Sequence, residues 1–390
     1  MNESTTTDAG HGPDAQDPGT QKRGTQKRGT QDRAPRGRTG RESKRQAPAF
    51  AKLVGLTAAL AAILVVLLGL FILPSLKSGP HGLPLGVVGD AASVSQVEDV
   101  LAQAKTDAYD LQHFDSREAL ASAVEEREVN GGFVVGADGL ETIVASAGST
   151  TISGTITATG AQMAKALGST EVVVSDVVPL PADDPSGIGI GGLAFPLVFG
   201  GIVPVVAFRA IFPKSNAWRM TGLVTFAAVG GLVVAAVLRF WFGSIDDAFW
   251  AVAGSMALGI AGLALPLAGL QQLFGGKGFT IGAMTMMFLG NPLAGISTTG
   301  AWLPTGIGTF GQLLPPGATG SLVRSAAYFG GTGGTIAGLT LTVWVLVGII
   351  LHVAASLRSP QTEQPQTEQA STEQASTEQP TGTAVAGATH

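Results

Sequence analysis

The sequence predicts an α-helical membrane protein, with six transmembrane helices and a small α/β extracytoplasmic domain between the first and second. Three observations lead there. Hydrophobic residues make up 45% of the chain but charged residues only 13%, against about 25% charge in ordinary soluble domains. The apolar residues gather in runs of membrane-crossing length, one alone at Leu53–Leu73 and five crowded between Ile188 and Leu357. Between the lone run and the cluster lies a stretch, 77–187, with alternating strand and helix signals.

Residues 1–49 are polar and repeat as Gly19-Thr-Gln-Lys-Arg, Gly24-Thr-Gln-Lys-Arg and Gly29-Thr-Gln-Asp-Arg. Such a stretch cannot bury enough apolar surface to offset chain entropy, so a disordered arm is expected. Eleven of the 23 Lys and Arg residues precede Leu53. By the positive-inside rule this basic arm is a cytoplasmic topology signal; anionic lipid headgroups are a second use for it. No aromatic residues interleave the charges, so no nucleic-acid partner is expected.

The first transmembrane helix is placed at 50–76. Its uncharged core is long enough for a hydrocarbon layer of about 30 Å and too long for a signal-peptide core. The domain at 77–187 should then emerge outside. Leu85-Gly-Val-Val-Gly reads as a buried strand. Residues 93–108 have helical spacing with Ser93 as the cap, and 115–127 form a second helix with Asp115 and Glu118 as a capping box. Gly132-Phe-Val-Val-Gly and 140–145 read as strands about the turn Ala137-Asp-Gly, and 172–175 as another. Residues 150–167 are ambiguous, their Thr and Ile favouring strand and 161–167 favouring helix.

The membrane block is placed at 188–357. Spans are expected at 188–208, 223–238, 250–270, 279–296 and 335–353. Arg209, Lys214, Arg219, Lys277 and Arg358 flank the inner turns, while Phe240, Trp241, Phe242, Trp250 and Tyr328 mark the outer rim, as the charge and aromatic rules require. Arg239 at that rim runs against them. Between the last two spans, 298–330 should form an outer helical hairpin. Asn291 and Pro292 interrupt the fifth span, and Pro315-Pro316-Gly317 separates two helices too short to cross, because proline removes a donor and clashes with the preceding turn. The hairpin should dip into the outer leaflet or lie at the interface, with Arg324 snorkelling to headgroups rather than binding substrate. The tail, 358–390, repeats Thr-Glu-Gln and is expected to be disordered and cytoplasmic.

No catalytic, cofactor or metal site is legible. The absence of cysteine excludes disulfides, thiolate zinc sites and cysteine nucleophiles. Gly275-Gly-Lys-Gly lacks the spacing of a phosphate loop, and Asp183-Asp184 reads as a polar linker. Gly330, Gly334 and Gly338, like Ala251, Ser255 and Gly259, recur at four-residue spacing and are expected to form small-residue packing faces. No acidic residue lies deep in any span, which disfavours an ion-coupled carrier.

The order of one span, external domain, five spans and a late hairpin resembles type-2 ATP-binding-cassette exporter permeases, in the bacterial group with phage-infection-protein-like members. Val174 to Gly187, Gly290-Asn-Pro-Leu-Ala-Gly, Leu313-Leu-Pro-Pro-Gly-Ala and Tyr328-Phe-Gly-Gly carry the likeness. The resemblance implies a permease subunit in a bacterial cell membrane, both termini cytoplasmic, exporting a hydrophobic or lipid-like substrate. It also implies membrane lipids as surroundings, a homo- or heterodimer, and a separate cytoplasmic ATPase docked near Arg209, Lys214 and Arg219. A long amphipathic connector helix before the first span, usual in that group, is absent. The other reading is a non-transporting receptor or scaffold whose external domain binds a partner or secretion component.

Overall fold

The computed structural model describes residues 43–76, 79–104, 108–136, 139–168, 172–296, 299–303 and 306–358. Most of the basic arm, the Thr-Glu-Gln tail, Lys77, the turn at 137–138 and Pro304 lie outside them. Among the described residues, five helical stretches are long and apolar enough to cross a membrane: Ala49–Gly69, Ile188–Ile211, Asn216–Trp241, Phe249–Leu293 and Thr335–Arg358. The first belongs to α1 (Ser43–Leu76). They are compatible with a multi-pass helical membrane protein.

A small domain follows α1. Its elements are β1 (Leu83–Val88), α2 (Ala91–Ala104), β2 (Tyr109–His113), α3 (Arg117–Glu125), β3 (Gly131–Gly136), β4 (Gly139–Val144), α4 (Thr150–Ala166) and β5 (Val172–Asp176). The strands form one sheet in the order β2-β1-β3-β4-β5. All neighbours are parallel except β3 and β4, which pair antiparallel. On one face Leu83, Leu85, Val87 and Phe133 pack against Val97 and Leu101 of α2 and Ile152, Ile156 and Met163 of α4. On the other, Ile143 packs against Leu120 and Val124 of α3 and against Phe329. Helices thus cover both faces.

Three local expectations change. Residues 150–166 are helical throughout: Ser149 caps α4 by accepting from the Ile152 amide, and Ile152, Ile156 and Met163 fall on one buried face, so tertiary burial outweighs the β preference of Thr and Ile. The cap of α3 is Ser116, accepting from Ala119, not Asp115. The cap of α2 is Asp90, which accepts from the Ser93 amide at 2.8 Å; Ser93 lies inside the first turn. Strand β2 is an addition.

The helical bundle comprises α5 (Ile188–Gly191), α6 (Ala194–Ile211), α7 (Asn216–Ala236), α8 (Phe249–Thr285), α9 (Asn291–Leu293), α10 (Ile307–Leu313), α11 (Pro315–Tyr328) and α12 (Thr335–Arg358). Single π-helical turns at Val237–Trp241 and Met286–Gly290 extend α7 and α8. As one rod the stretch 249–293 would measure about 68 Å, over twice a hydrocarbon layer of about 30 Å. It is not one rod. Gly275 leaves helical geometry at φ 68°, ψ −154°, a region open to glycine. Beyond it, a side chain at Gly282 would meet Leu267 and Leu270, and Phe279 and Ala283 pack against Ala264, Leu265 and Leu267. The chain doubles back on itself.

The two ends of the bundle differ. At one, Asn216 Nδ2 lies 3.1 Å from His352 Nε2, and Phe212 stacks between Phe208 and Trp218 with centroids 6.4 and 6.1 Å away. At the other, Tyr328 Oη donates to the Ser244 carbonyl at 2.9 Å. The small domain adjoins this second end.

Candidate functional site

The segment that joins domain to bundle is the hairpin α10–α11. Leu314 is extended, at φ −88° and ψ 146°, because a residue before proline is driven out of helical geometry. Pro315 then opens α11, where its missing amide costs nothing. Helix α11 is seated among its neighbours. Pro315, Pro316, Gly317, Ala318, Thr319 and Gly320 are all buried. A side chain at Gly259 of α8 would collide with Thr319, so backbones meet closely there. Trp344 of α12 donates its indole N–H to the Leu313 carbonyl at 2.9 Å. Asn291 is buried and Pro292 continues into α9, and a Cβ on Gly290 would lie 3.0 Å from Pro316. The interrupted end of the fifth expected span and the Pro-Pro step are therefore brought together.

Beneath the small domain this junction encloses a cavity of about 240 Å³. Its walls come from α3 and the turn after it (Arg127, Asn130), from the start of α4 (Gly148, Ser149), from the loop after α9 (Gly295, Ile296, Thr299) and from the hairpin (Gln312, Ser321, Arg324). Arg324 is not snorkelling at a surface. It faces this cavity and donates from Nη2 to the Ile296 carbonyl at 2.9 Å. Opposite, Arg127 occupies a left-handed backbone position, φ 63°. Its guanidinium carbon sits 4.9 Å above the Phe329 ring, and burial pulls its pKa down. Sequence reasoning missed Arg127; the exceptional backbone that aims it leaves no residue-type signature.

Asp183 and Asp184 part company. Asp184 is buried and accepts from the Ile188 and Gly189 amides, both at 2.8 Å, so within the linker between β5 and α5 it satisfies the first amides of α5. Arg239 explains its place on the aromatic rim: it donates to the Ile245 carbonyl at 3.1 Å and pairs with Asp246 and Asp247 at 3.4 and 3.8 Å, so its charge is locally offset.

The expected glycine face needs correction. Gly330 takes φ +58°, and Gly331 and Gly333 are also left-handed; α12 begins only at Thr335. Gly330 and Gly334 therefore belong to a turn, and only Gly338 is helical. The close approaches run instead along α8 and its partners. A side chain at Gly231 would strike the Ala253 carbonyl, and one at Gly348 would lie 2.6 Å from the Leu265 carbonyl carbon.

The expected docking loop lies at the opposite end of the bundle from the small domain. Arg209 and Lys214 are exposed, and Arg219 is half-buried, its Nε donating to the Ser215 carbonyl at 3.4 Å. Trp218 beside it is 62% exposed, leaving an aromatic and basic surface. No protein-family model matches the chain, and no curated protein or solved structure matches it either.

Proposed function

We propose that this chain is the permease subunit of an ATP-driven exporter, moving a hydrophobic or lipid-like molecule outward across a bacterial cell membrane while a separate cytoplasmic ATPase hydrolyses ATP. The observation that carries the reading is the seated hairpin. A short helix pair wedged against α8 and α12 at one end of a bundle, and touching the small domain, is a part that could shift with both. In this reading the two arms of α8 count as separate crossings, which makes six in all. The small domain lies outside and both termini inside.

Charge supports that orientation. Arg209, Lys214, Arg219, Lys277 and Arg358 flank one end, while Asp183, Asp184, Asp246 and Asp247 stand at the other; basic residues favour the cytoplasmic side. The stretches 188–241, 249–293 and 335–358 contain no Asp or Glu, so no carboxylate at membrane depth is on hand to carry a coupling ion. Energy then comes from a partner. Lys214 and Arg219 offer it a basic contact, with a second permease copy or a related chain completing a dimer.

Two measurements test this. The full chain is affinity-purified from its native membrane, with and without Lys214→Glu and Arg219→Glu. The reading expects an ATPase to co-purify with the unaltered chain and to be lost on charge reversal. In energised vesicles, export should stop when ATP hydrolysis is blocked and persist when the proton gradient is collapsed. Stable purification with secretion components and no ATPase would favour the receptor or scaffold role instead.

A further inference from the structure

Among the described residues, two arginines and no acid line the cavity between small domain and hairpin. No Asp or Glu is among its lining residues, and neither Arg127 nor Arg324 has a carboxylate ion pair among the described residues. Both arginines line the same cavity. Arg324 uses one donor on a carbonyl, of the five a guanidinium carries. Arg127 lines the cavity, while its Nη1, buried toward Gly333, finds no hydrogen-bond acceptor among the described residues. Burying such a donor, and two like charges together, is costly without a counter-charge.

The surroundings hold this arrangement in place. Arg127 is clamped between the Phe329 ring and Gly333, where an added Cβ would lie 3.1 Å from Arg127 Cδ. The N-terminus of α4 also opens here, its cap Ser149 lining the wall, and a helix N-terminus adds positive potential. Nearby acids are sorted elsewhere: Glu125, Glu126 and Asp246 line a separate neighbouring cavity. The 240 Å³ space far exceeds the roughly 15 Å³ needed by one water.

We propose that this cavity binds a phosphate group, carried on a lipid headgroup or on a soluble phosphate compound, with Arg127 and Arg324 as its two charged ligands. Guanidinium forks match phosphate oxygens, and a bound phosphate would tie the small domain to the hairpin through one shared ion.

The test uses the full chain in nanodiscs. In phosphatidylcholine discs, radiolabelled inorganic phosphate is titrated by equilibrium dialysis. In mixed phosphatidylcholine and phosphatidylglycerol discs, the lipids retained are counted by native mass spectrometry. One saturable phosphate, or selective retention of phosphatidylglycerol, is expected from the unaltered chain; the first result identifies a soluble ligand and the second a headgroup. Arg127→Gln or Arg324→Gln should weaken the binding about ten- to a hundredfold, and Arg127→Lys by less. The proposal is overturned if the unaltered chain neither binds phosphate nor selects phosphatidylglycerol, an outcome readable even if a variant fails to fold. It is equally overturned if both glutamine variants fold and bind as the unaltered chain does. Neither arm measures transport, so the outcome is independent of the permease reading.

Discussion

Arg127 of the small domain lies over the ring of Phe329, which follows the hairpin, with its guanidinium carbon 4.9 Å from the ring centroid. Phe329 is also buried against Leu120 and Val124 of α3. One side chain therefore serves as a packing partner for the small domain and as a platform for a cation, a contact worth about 0.5–2 kcal/mol beyond burial.

Truncating that ring should loosen the junction. Phe329→Ala is expected to cost about 3 kcal/mol, as for other buried phenylalanines, and Phe329→Leu less. Thermal unfolding in detergent, read together with protease cleavage around the hairpin, should show a lower midpoint and faster cutting.

Tight helix contacts predict a graded response to added methyl groups. Gly348→Ala places its new carbon 2.6 Å from the Leu265 carbonyl carbon and should destabilise by about 1–3 kcal/mol through overpacking. Gly254, on α8, has nothing among the described residues within 4 Å of an added Cβ, so Gly254→Ala should be tolerated. Size-exclusion profiles and melting midpoints of the two variants would separate them.

In the small domain, Arg117 grips Glu141 through Nε at 3.0 and 2.9 Å and Nη2 at 2.7 Å. This pairing, aided by Ser175, lowers the Glu141 pKa. A carboxylate held low in the folded state contributes stability above its unfolded value of about 4.3 and loses it as pH falls through the folded value. Arg117 is 41% exposed, so solvent screening limits the gain to about 1 kcal/mol. The unaltered chain should exceed Glu141→Gln in urea midpoint near neutral pH, and the advantage should shrink as acid protonates the carboxylate.

Asp184 predicts a local effect. Asp184→Ala removes the acceptor for the Ile188 and Gly189 amides and should cost about 1 kcal/mol, typical of a lost helix cap. Hydrogen exchange at those two amides should accelerate, while Asp184→Asn should retain part of the protection.

Much of the architecture is legible in the sequence because membrane-length apolar runs and short β-branched strands obey different periods. Strand β2 escapes notice for the opposite reason. Tyr109–His113 sits at the sheet edge with no fully buried residue, and its alternation amounts to half-buried Tyr109 and Leu111 alone, too short a signal to stand out. Helix α4 is obscured by threonines that favour strands locally, while its buried Ile152, Ile156 and Met163 decide the matter through contacts distant in sequence. The glycines at 330–334 have the spacing of a helix face, but spacing does not reveal left-handed φ. The cavity is least legible of all. Arg127 and Arg324 come from different halves of the chain, and only folding places them on facing walls.

The reversal at Gly275 has a mechanical consequence. A long loop would let two helices slide past each other with plenty of slack, but here the two arms are hinged at a single abrupt bend and interlock from Leu267 to Ala283. They should behave like the prongs of a tuning fork. A force applied at the bend moves both together, and lengthening the bend by a few residues would uncouple them without touching either arm.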